Sequence, residues 1–199
     1  SEEPPPDGGV QAWTCVAGSF LMHVAMFGYL YSFGVWILPY SEQFDVGTDY
    51  VSVTGSVMFG VWLAVGPIAG AAGDRYGVKI TTAFGGLMMA GGLLLASVAN
   101  QVWQIIIAQG ALLGVAGAAM YFPGVSVVGQ WFAKKRGFAT SIATLGAGIG
   151  SFAYPVLVSN LIETHGTRNA LRILAALQIG LLIPAILLLR RRLPCDKSR

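Results

Sequence analysis

Charged residues are scarce in this chain of 199 residues. They make up 11% of the sequence, whereas hydrophobic residues make up 55% and the mean hydropathy is +0.66. A soluble domain carries about 25% charged residues. The shortage of charge therefore excludes an ordinary soluble fold and indicates a protein that resides in a membrane.

Groups that carry enzyme or redox chemistry are also scarce. The two cysteines, Cys15 and Cys195, lie in an apolar run and in the basic tail, so we predict free thiols rather than a disulfide. The two histidines are far apart in sequence, and no nucleophile–base or metal-ligand spacing is found. We therefore expect no enzyme activity, no metal and no cofactor.

The first residues of the sequence do not resemble a cleavable signal peptide. The residues before Trp13 are acidic and rich in proline, whereas a signal peptide begins with basic residues. The first residue is Ser1 and not methionine, so we expect a processed chain or a fragment of a longer protein.

Six long apolar runs dominate the sequence. About 20 residues of helix cross a bilayer, because each residue adds about 1.5 Å and the hydrocarbon core is about 30 Å thick. The runs are continuous rather than alternating, which favours helices over a β-barrel. We predict an all-α integral membrane fold of six helices, with a cytoplasmic segment at 1–12 and a basic tail at 190–199. The predicted spans are 13–38, 51–72, 80–99, 103–128, 138–162 and 170–189.

The basic residues are distributed unevenly over the connections between these runs. Ten of the twelve lie after the second and fourth runs and in the tail, whereas only Arg168 and Arg172 lie on the other side. Because cytoplasmic loops carry the excess of lysine and arginine, we predict that both termini face the cytoplasm, and we expect the plasma membrane. The pI of about 9.0 then reflects topology rather than nucleic-acid binding.

A short charged turn separates the second and third runs. Two membrane spans joined by so few residues form an antiparallel hairpin, which holds the charges of the turn at one membrane face. The turn contains Gly70, Asp74, Arg75, Gly77 and Lys79.

The connection after the fifth run echoes this turn. Its order of acid, glycine and base, at Glu163, Gly166 and Arg168, matches the turn when the sequence is shifted by 89 residues. The same shift aligns the start of the first run with that of the fourth. Three spans followed by three spans place the two copies on opposite sides of the membrane. We therefore predict a 3+3 inverted repeat, which is the plan of each half of certain secondary transporters.

The charged turn resembles a known transporter motif. Its pattern, Gly70-x-x-x-Asp74-Arg75-x-Gly77-x-Lys79, is similar to the signature between the second and third helices of the major facilitator superfamily. In that family the acid is implied to meet a helix end in the other half of the carrier and to lock the cytoplasmic side. The resemblance implies this gating role for Asp74. The alternative is that Asp74 and Arg75 pair locally and fix the turn.

Two further segments resemble the monocarboxylate transporter family. The sequence from Trp131 to Ala139 is similar to its fifth-helix signature, and Asp7-Gly8-Gly9 is similar to the opening motif of its fungal members. We predict that the basic residues of the fifth-helix signature anchor the loop at anionic lipid headgroups, and the alternative is a conformational switch. These basic residues are Lys134, Lys135 and Arg136.

The resemblance implies a secondary transporter that moves a small organic solute, such as a monocarboxylate-like metabolite, by alternating access. The family has twelve helices, so the chain is expected to be the amino-terminal half. Its expected partners are lipid, the solute and the missing carboxy-terminal half or a second copy. Where proton-coupled members have a first-helix lysine this chain has Tyr31, so lactate-type transport is not expected. The alternative is a truncated, non-transporting membrane protein that binds a partner or associates with itself.

A substrate site is expected near the middle of the membrane among the first, fourth and fifth spans. His23 can take up a proton or donate to a carboxylate, and the alternative is a neutral ring bonded to a neighbouring helix. Tyr31 lies eight residues further on, about 80° around the helix, so the two share a broad face. For the tyrosines the alternative is ordinary packing. The candidate substrate residues are His23, Tyr31, Gln109, Tyr121 and Tyr154.

Overall fold

The computed structural model describes residues 7–192, and within them the chain is helical and contains no strand. This confirms the predicted all-α class. Five helical runs are long and apolar enough to cross a membrane. The fourth contains a π-helical segment, Ile106–Leu112. The helices are α1 (Val10–Phe44), α2 (Thr48–Tyr76), α3 (Val78–Ser97), α4 (Val102–Gly129) and α5 (Arg136–Leu188).

Helix α5 folds back on itself at Gly166. There the backbone has φ 76° and ψ 162°, which a continuous helix cannot contain and which residues with a Cβ rarely adopt. The Tyr154 hydroxyl lies 3.4 Å from Gln178 Oε1, 24 residues away in sequence. An unbroken helix would separate them by about 36 Å. The two parts therefore run antiparallel, and we call them the first arm (136–165) and the second arm (167–188).

The helices extend past the predicted apolar runs at most of their ends. Apart from residues 98, 99 and 189, every residue of the predicted runs lies in a helix. Helix α1, for example, reaches six residues beyond its run at the carboxyl end. Apolar composition marks the hydrocarbon region, whereas a helix continues into the interface because its own hydrogen bonds do not depend on lipid.

Two glycines allow helices to approach closely. A Cβ on Gly150 of the first arm would collide with the carbonyl oxygen of Val24 on α1. A Cβ on Gly114 of α4 would lie 2.8 Å from the carbonyl oxygen of Met58 on α2. Small residues at such contacts are the usual means by which membrane helices pack. These two contacts place α1 against the first arm and α2 against α4.

The described charges gather at the two ends of the helical bundle. At one end, the indole of Trp131 donates to the carbonyl oxygen of Arg190 at 2.8 Å, which ties the end of α4 to the end of α5. We call this the basic end, and it comprises residues 73–79, 130–136 and 187–192.

The other end carries most of the described acids. Arg168 donates to the carbonyl oxygen of Ala99 at 3.3 Å, which ties the fold-back of α5 to the end of α3. We call this the opposite end, and it comprises residues 41–49, 97–101 and 163–172. The basic residues Lys197 and Arg199 lie outside the described residues. Which end faces the cytoplasm stays a prediction.

Candidate functional site

A column of three rings runs along one face of α1. His23, Phe27 and Tyr31 are spaced four residues apart, so their side chains stack along the helix. The His23 and Phe27 ring centroids are 5.8 Å apart and nearly parallel, and those of Phe27 and Tyr31 are 6.0 Å apart. Helix geometry alone therefore places two of the predicted substrate residues, His23 and Tyr31, on one face with the Phe27 ring between them.

Two rings from other helices close against this column. Phe27 lies 5.9 Å from Trp62 of α2 and 5.6 Å from Tyr121 of α4, both nearly perpendicular to it. Tyr121 also lies 5.6 Å from His23 and 5.4 Å from Trp62. Each such edge-to-face pair contributes about 0.5–1.5 kcal/mol beyond its buried area. We call His23, Phe27, Tyr31, Trp62 and Tyr121 the aromatic cluster.

The His23 side chain is fully buried and keeps one ring nitrogen unpaired. Its Nδ1 lies 2.7 Å from the carbonyl oxygen of Ser19, one helical turn earlier. A carbonyl oxygen only accepts, so the assigned tautomer carries its proton on Nδ1. The Nε2 atom is then a buried acceptor, and no described residue donates to it. The predicted alternative of a bond to a neighbouring helix is wrong, because the bond stays within α1.

The aromatic cluster opens toward the surface of the bundle at Tyr31. This side chain is 56% exposed, whereas Phe27, Trp62 and Tyr121 are half-buried. The exposed fraction rises along the column from His23 to Tyr31. The arrangement is an aromatic wall that contains two buried polar atoms without a partner among the described residues, His23 Nε2 and Trp62 Nε1.

Gln109 and Tyr154 lie in separate contacts. The Gln109 amide donates to the Tyr40 hydroxyl at 2.6 Å, and both are buried. Tyr40 is about 25 Å along α1 from His23. The Tyr154 hydroxyl donates to Gln178, whose amide donates to the carbonyl oxygen of Ala25 at 3.0 Å. These bonds join helices, so the structure brings together His23, Tyr31 and Tyr121 but not the other two candidates.

The charged turn is tied to the end of the chain. Gly77 has φ 94° and ψ 148°, which ends α2 and starts α3 without an intervening loop. Arg191 donates to the carbonyl oxygens of Gly73 at 3.0 Å and of Asp74 at 2.7 Å, and its guanidinium lies 3.8 Å from the Asp74 carboxylate. A guanidinium at this position satisfies terminal carbonyls and complements the negative end of the helix dipole.

The alternative of a local pair between Asp74 and Arg75 is not what the described contacts show. The guanidinium of Arg75 lies over the Tyr76 ring, at 5.6 Å from its centroid. Asp74 instead pairs with Arg191, and its side chain remains 64% exposed. A Cβ on Gly70 would meet no atom of the described residues within 4 Å, so this glycine marks no close helix contact among residues 7–192.

The opening motif and the fifth-helix signature meet at the basic end. One carboxylate oxygen of Asp7 accepts from the backbone amides of Ala133, Lys134 and Lys135 at 2.6, 2.8 and 3.3 Å. Partial desolvation opposes ionisation, but these amides outweigh it, so the pKa of Asp7 lies below its ordinary value. The side chains of Lys134, Lys135 and Arg136 are exposed.

Sequence reasoning missed four residues of these sites. Phe27 has a clear signal, because it lies midway between His23 and Tyr31 at helical spacing. Trp62 has no local signal beyond its place in an apolar run. Gln178 is a buried polar residue in a span, which is a recognised marker of interhelical contact. Arg191 has no signal in the sequence beyond being one of the basic residues after the last apolar run.

Comparison with known proteins gives consistent matches over nearly the whole chain. A sequence profile of the Major Facilitator Superfamily matches residues 11–198. MFS-type transporter pytF of Aspergillus terreus is 34% identical over 98% of this chain and 66% of its own length. MFS-type transporter eupM of Phoma sp is 32% identical over 94% of this chain and 67% of its own length.

A mammalian relative and a solved structure extend the likeness. Monocarboxylate transporter 14 of Mus musculus is 33% identical over 90% of this chain and 35% of its own length. A crystal structure of the peptide transporter POT in complex with alafosfalin superposes with a TM-score of 0.73 at 18% identity. It covers 92% of this chain and 40% of the other, and the likeness concerns the fold. The chain thus spans about a third to two thirds of these proteins.

Proposed function

The chain belongs to the major facilitator superfamily, and on this premise we propose that it is the amino-terminal half of a secondary transporter for a small organic solute. The proposal includes alternating access, in which two halves rock around a central site. Homologues named as transporters support membrane transport. The observation that carries the finer proposal is a matching pair of contacts, one made by each of the two fold-back turns with the end of another helix.

These turns behave as two copies of one element. Lys79, two residues after Gly77, donates to the carbonyl oxygen of Leu187 at 3.4 Å. Arg168, two residues after Gly166, donates to the carbonyl oxygen of Ala99 at 3.3 Å. Each base thus reaches the end of the last helix in the other triplet. When 89 is added to the residue numbers, Lys79 coincides with Arg168, and Ala99 falls one residue from Leu187.

The close helix contacts obey the same exchange. Gly150 packs on Val24, and the shift carries Val24 to within one residue of Gly114. Gly114 packs on Met58 and Val61, and the same shift carries Val61 onto Gly150. This supports a 3+3 inverted repeat in which the two arms of α5 are the fifth and sixth spans. In an inverted repeat of this kind, equivalent helix contacts occur at both ends of the bundle, as alternating access requires.

We propose that the acid of the charged turn acts in gating. Asp74 is more than half exposed although it pairs with Arg191, so its carboxylate is open to a further partner from another half. A carboxylate near a helix N-terminus gains about 0.3–1 kcal/mol, which suits a reversible lock. Gly77 and Lys79 set the turn that presents it.

The aromatic cluster is the proposed solute site of this half. His23, Tyr31 and Tyr121 contribute to it, whereas Gln109 and Tyr154 hold helices together through bonds within the protein. We propose that both termini face the cytoplasm, because the basic end carries the loops rich in lysine and arginine. The plasma membrane remains the proposed location. Lys134, Lys135 and Arg136 are exposed there and suit contact with anionic headgroups.

Solute flux in proteoliposomes tests the transport proposal. The chain is reconstituted alone and together with a separately expressed carboxy-terminal half taken from a longer relative such as monocarboxylate transporter 14, of which this chain covers 35%. We expect solute counterflow with both halves and none in empty vesicles. An Asp74→Asn variant should slow the flux, whereas Asp45→Asn at the opposite end should not. Absence of flux in every combination would sink the carrier proposal and leave a non-transporting protein that binds a partner.

A further inference from the structure

We propose that the aromatic cluster binds an uncharged, planar aromatic solute that carries a hydroxyl group. The proposal rests on the transport function above and specifies its substrate. It combines an open wall of rings, a buried acceptor without a donor, and helices around the site that carry no lysine or arginine except Arg75, in the last turn of α2.

The wall offers ring faces and edges to a flat molecule. Tyr31 is exposed at its outer edge, and Phe27, Trp62 and Tyr121 are half-buried behind it, each perpendicular to at least one neighbour. Aromatic pairs favour edge-to-face and offset arrangements, so a further ring can extend this set. The indole nitrogen of Trp62 faces the interior, where a Cβ on Gly117 would lie 3.9 Å from it. That nitrogen is itself buried and has no partner among the described residues, so what Trp62 offers at the open wall is its half-buried ring.

The polar requirement comes from His23. Its Nδ1 donates to Ser19, so Nε2 accepts, and this atom is buried and has no donor among the described residues. Buried polar atoms are normally hydrogen-bonded, so an exception of this kind calls for an explanation. A solute hydroxyl would supply the missing donor. The half-buried ring of Tyr121 lies 5.6 Å from the His23 ring and steeply inclined to it, and we expect its rotation to admit the solute.

The missing cations exclude a carboxylate as the preferred solute. No lysine or arginine occurs in residues 1–74 or 80–133, which include α1, α4 and almost all of α2. A carboxylate buried without a positive partner loses its hydration and gains no compensating charge. The lone pair on His23 Nε2 would also repel it. A hydroxyl on a neutral ring satisfies the same atom at no such cost.

A matched pair of probes tests the proposed class. At neutral pH 2-naphthol is neutral and 2-naphthoate is ionised, although both present the same ring system. Binding to the chain in lipid nanodiscs is measured by equilibrium dialysis against empty nanodiscs, with quenching of tryptophan fluorescence as a second readout. We expect saturable binding of 2-naphthol that is at least about tenfold tighter than that of 2-naphthoate, since burying the charge is the larger penalty.

Variants assign the binding to the cluster. His23→Phe keeps a stacked ring but removes the acceptor, so 2-naphthol should bind about tenfold more weakly, the value of one hydrogen bond. Trp62→Phe should lose the quenching signal, whereas Trp103→Phe, outside the cluster, should keep both affinity and quenching. Circular dichroism and elution volume check that the variants fold. The comparison of the two probes on the unaltered chain does not depend on any variant.

Each alternative result overturns a definite part of the proposal. Equal or tighter binding of 2-naphthoate would mean that His23 takes up a proton and holds an anion. No saturable binding of 2-naphthol would refute the site, even if another solute is transported. Unchanged affinity in His23→Phe would remove His23 from it. Binding without flux when both halves are present would refute the transport function and leave the site intact.

Discussion

The turn at Gly77 and the turn at Gly166 are built alike but completed differently. Their φ angles are 94° and 76°, and their ψ angles are 148° and 162°. Two residues after each glycine, a base donates to a carbonyl at the end of another helix, through Lys79 in one turn and Arg168 in the other. The shared parts close a helical hairpin and cap the end of a third helix. They therefore concern folding.

The acids of the two turns have diverged. Asp74 lies 3.8 Å from the guanidinium of Arg191, which joins the turn to the end of the chain. Glu163 accepts from the hydroxyl of Ser159 at 3.4 Å, one turn earlier on the same helix. Of the two turns, only the one at the basic end therefore has an acid that pairs with a basic residue distant in sequence. The glycine and the base of each turn are thus needed for the fold, whereas the acid can serve a function that is specific to one end.

The largest expected effect comes from breaking what the two turns share. Gly77→Ala and Gly166→Ala should each lower the free energy of unfolding by about 1–3 kcal/mol, because a Cβ is strained at this combination of φ and ψ. Thermal and denaturant unfolding in detergent measures the loss. Equal losses would show that the turns are structurally equivalent.

Gly60→Ala is the matched control for both substitutions. Gly60 lies within α2, and a Cβ there would meet no atom within 4 Å. Alanine at an open helical position should stabilise by about 0.5–1 kcal/mol. A loss at Gly77 with none at Gly166 would show that the conformation is required at one end only, and it would weaken the inverted repeat.

The next effect concerns the part that differs. Arg191→Met removes two hydrogen bonds to carbonyls and one ion pair, so we expect a loss of about 1–2 kcal/mol in unfolding free energy. Asp74→Asn keeps both carbonyl bonds and should lose less than about 0.5 kcal/mol, because the pair is largely exposed. Glu163→Gln at the other turn should be neutral. Guanidinium unfolding of the three variants ranks them, and a loss in Glu163→Gln equal to that in Arg191→Met would contradict the asymmetry.

The common elements of the two turns could be predicted from the sequence, but their partners could not. Continuous apolar runs fix the helical class, and Gly77 and Gly166 stand at the same distance from an acid and a base. The bond between Arg191 and Gly73 joins residues 118 apart, and no local pattern records such a contact. The sequence likewise shows Asp74 only next to Arg75, so a local pair is the alternative that it offers, and the distant partner Arg191 leaves no trace in the pattern.

The candidate site shows the same limit. The spacing of His23 and Tyr31 on α1 predicts one face, and the structure places Phe27 between them. Trp62 joins the cluster only because α2 packs on α4 at Gly114, which is a tertiary fact. Gln109 is as polar as a site residue would be, but its side-chain amide already donates to the hydroxyl of Tyr40 on another helix. A polar residue in a membrane span indicates that its side chain has a polar partner, but the sequence does not show whether that partner is the solute or another part of the protein.

A smaller effect separates the two bases. Lys79→Met and Arg168→Met should each lower the unfolding free energy by about 0.5–1 kcal/mol, because each removes charged hydrogen bonds at an exposed helix end. Arg168 should cost more, since it also donates to the Asn100 side chain at 2.9 Å. The losses should add in the double variant, because the sites lie at opposite ends. Exposed Lys134→Met is the control, and clear non-additivity in urea unfolding would reveal coupling between the ends.

The smallest effect sharpens the comparison of the two ends through pH. The pKa of Asp7 is lowered in the folded chain, so its ionised form stabilises the fold above its unfolded pKa. This stabilisation is lost as pH falls through the lowered pKa, because protonation removes the acceptor charge that faces the amides of Ala133, Lys134 and Lys135. The melting temperature of Asp7→Asn should therefore lie below that of the unaltered chain at neutral pH and converge with it in acid. Glu42→Gln at the opposite end should show no such convergence. If the gap between Asp7→Asn and the unaltered chain stayed constant across pH, the bond would depend on side-chain shape and not on charge, and the basic end would lose one of the ionic ties that distinguish it.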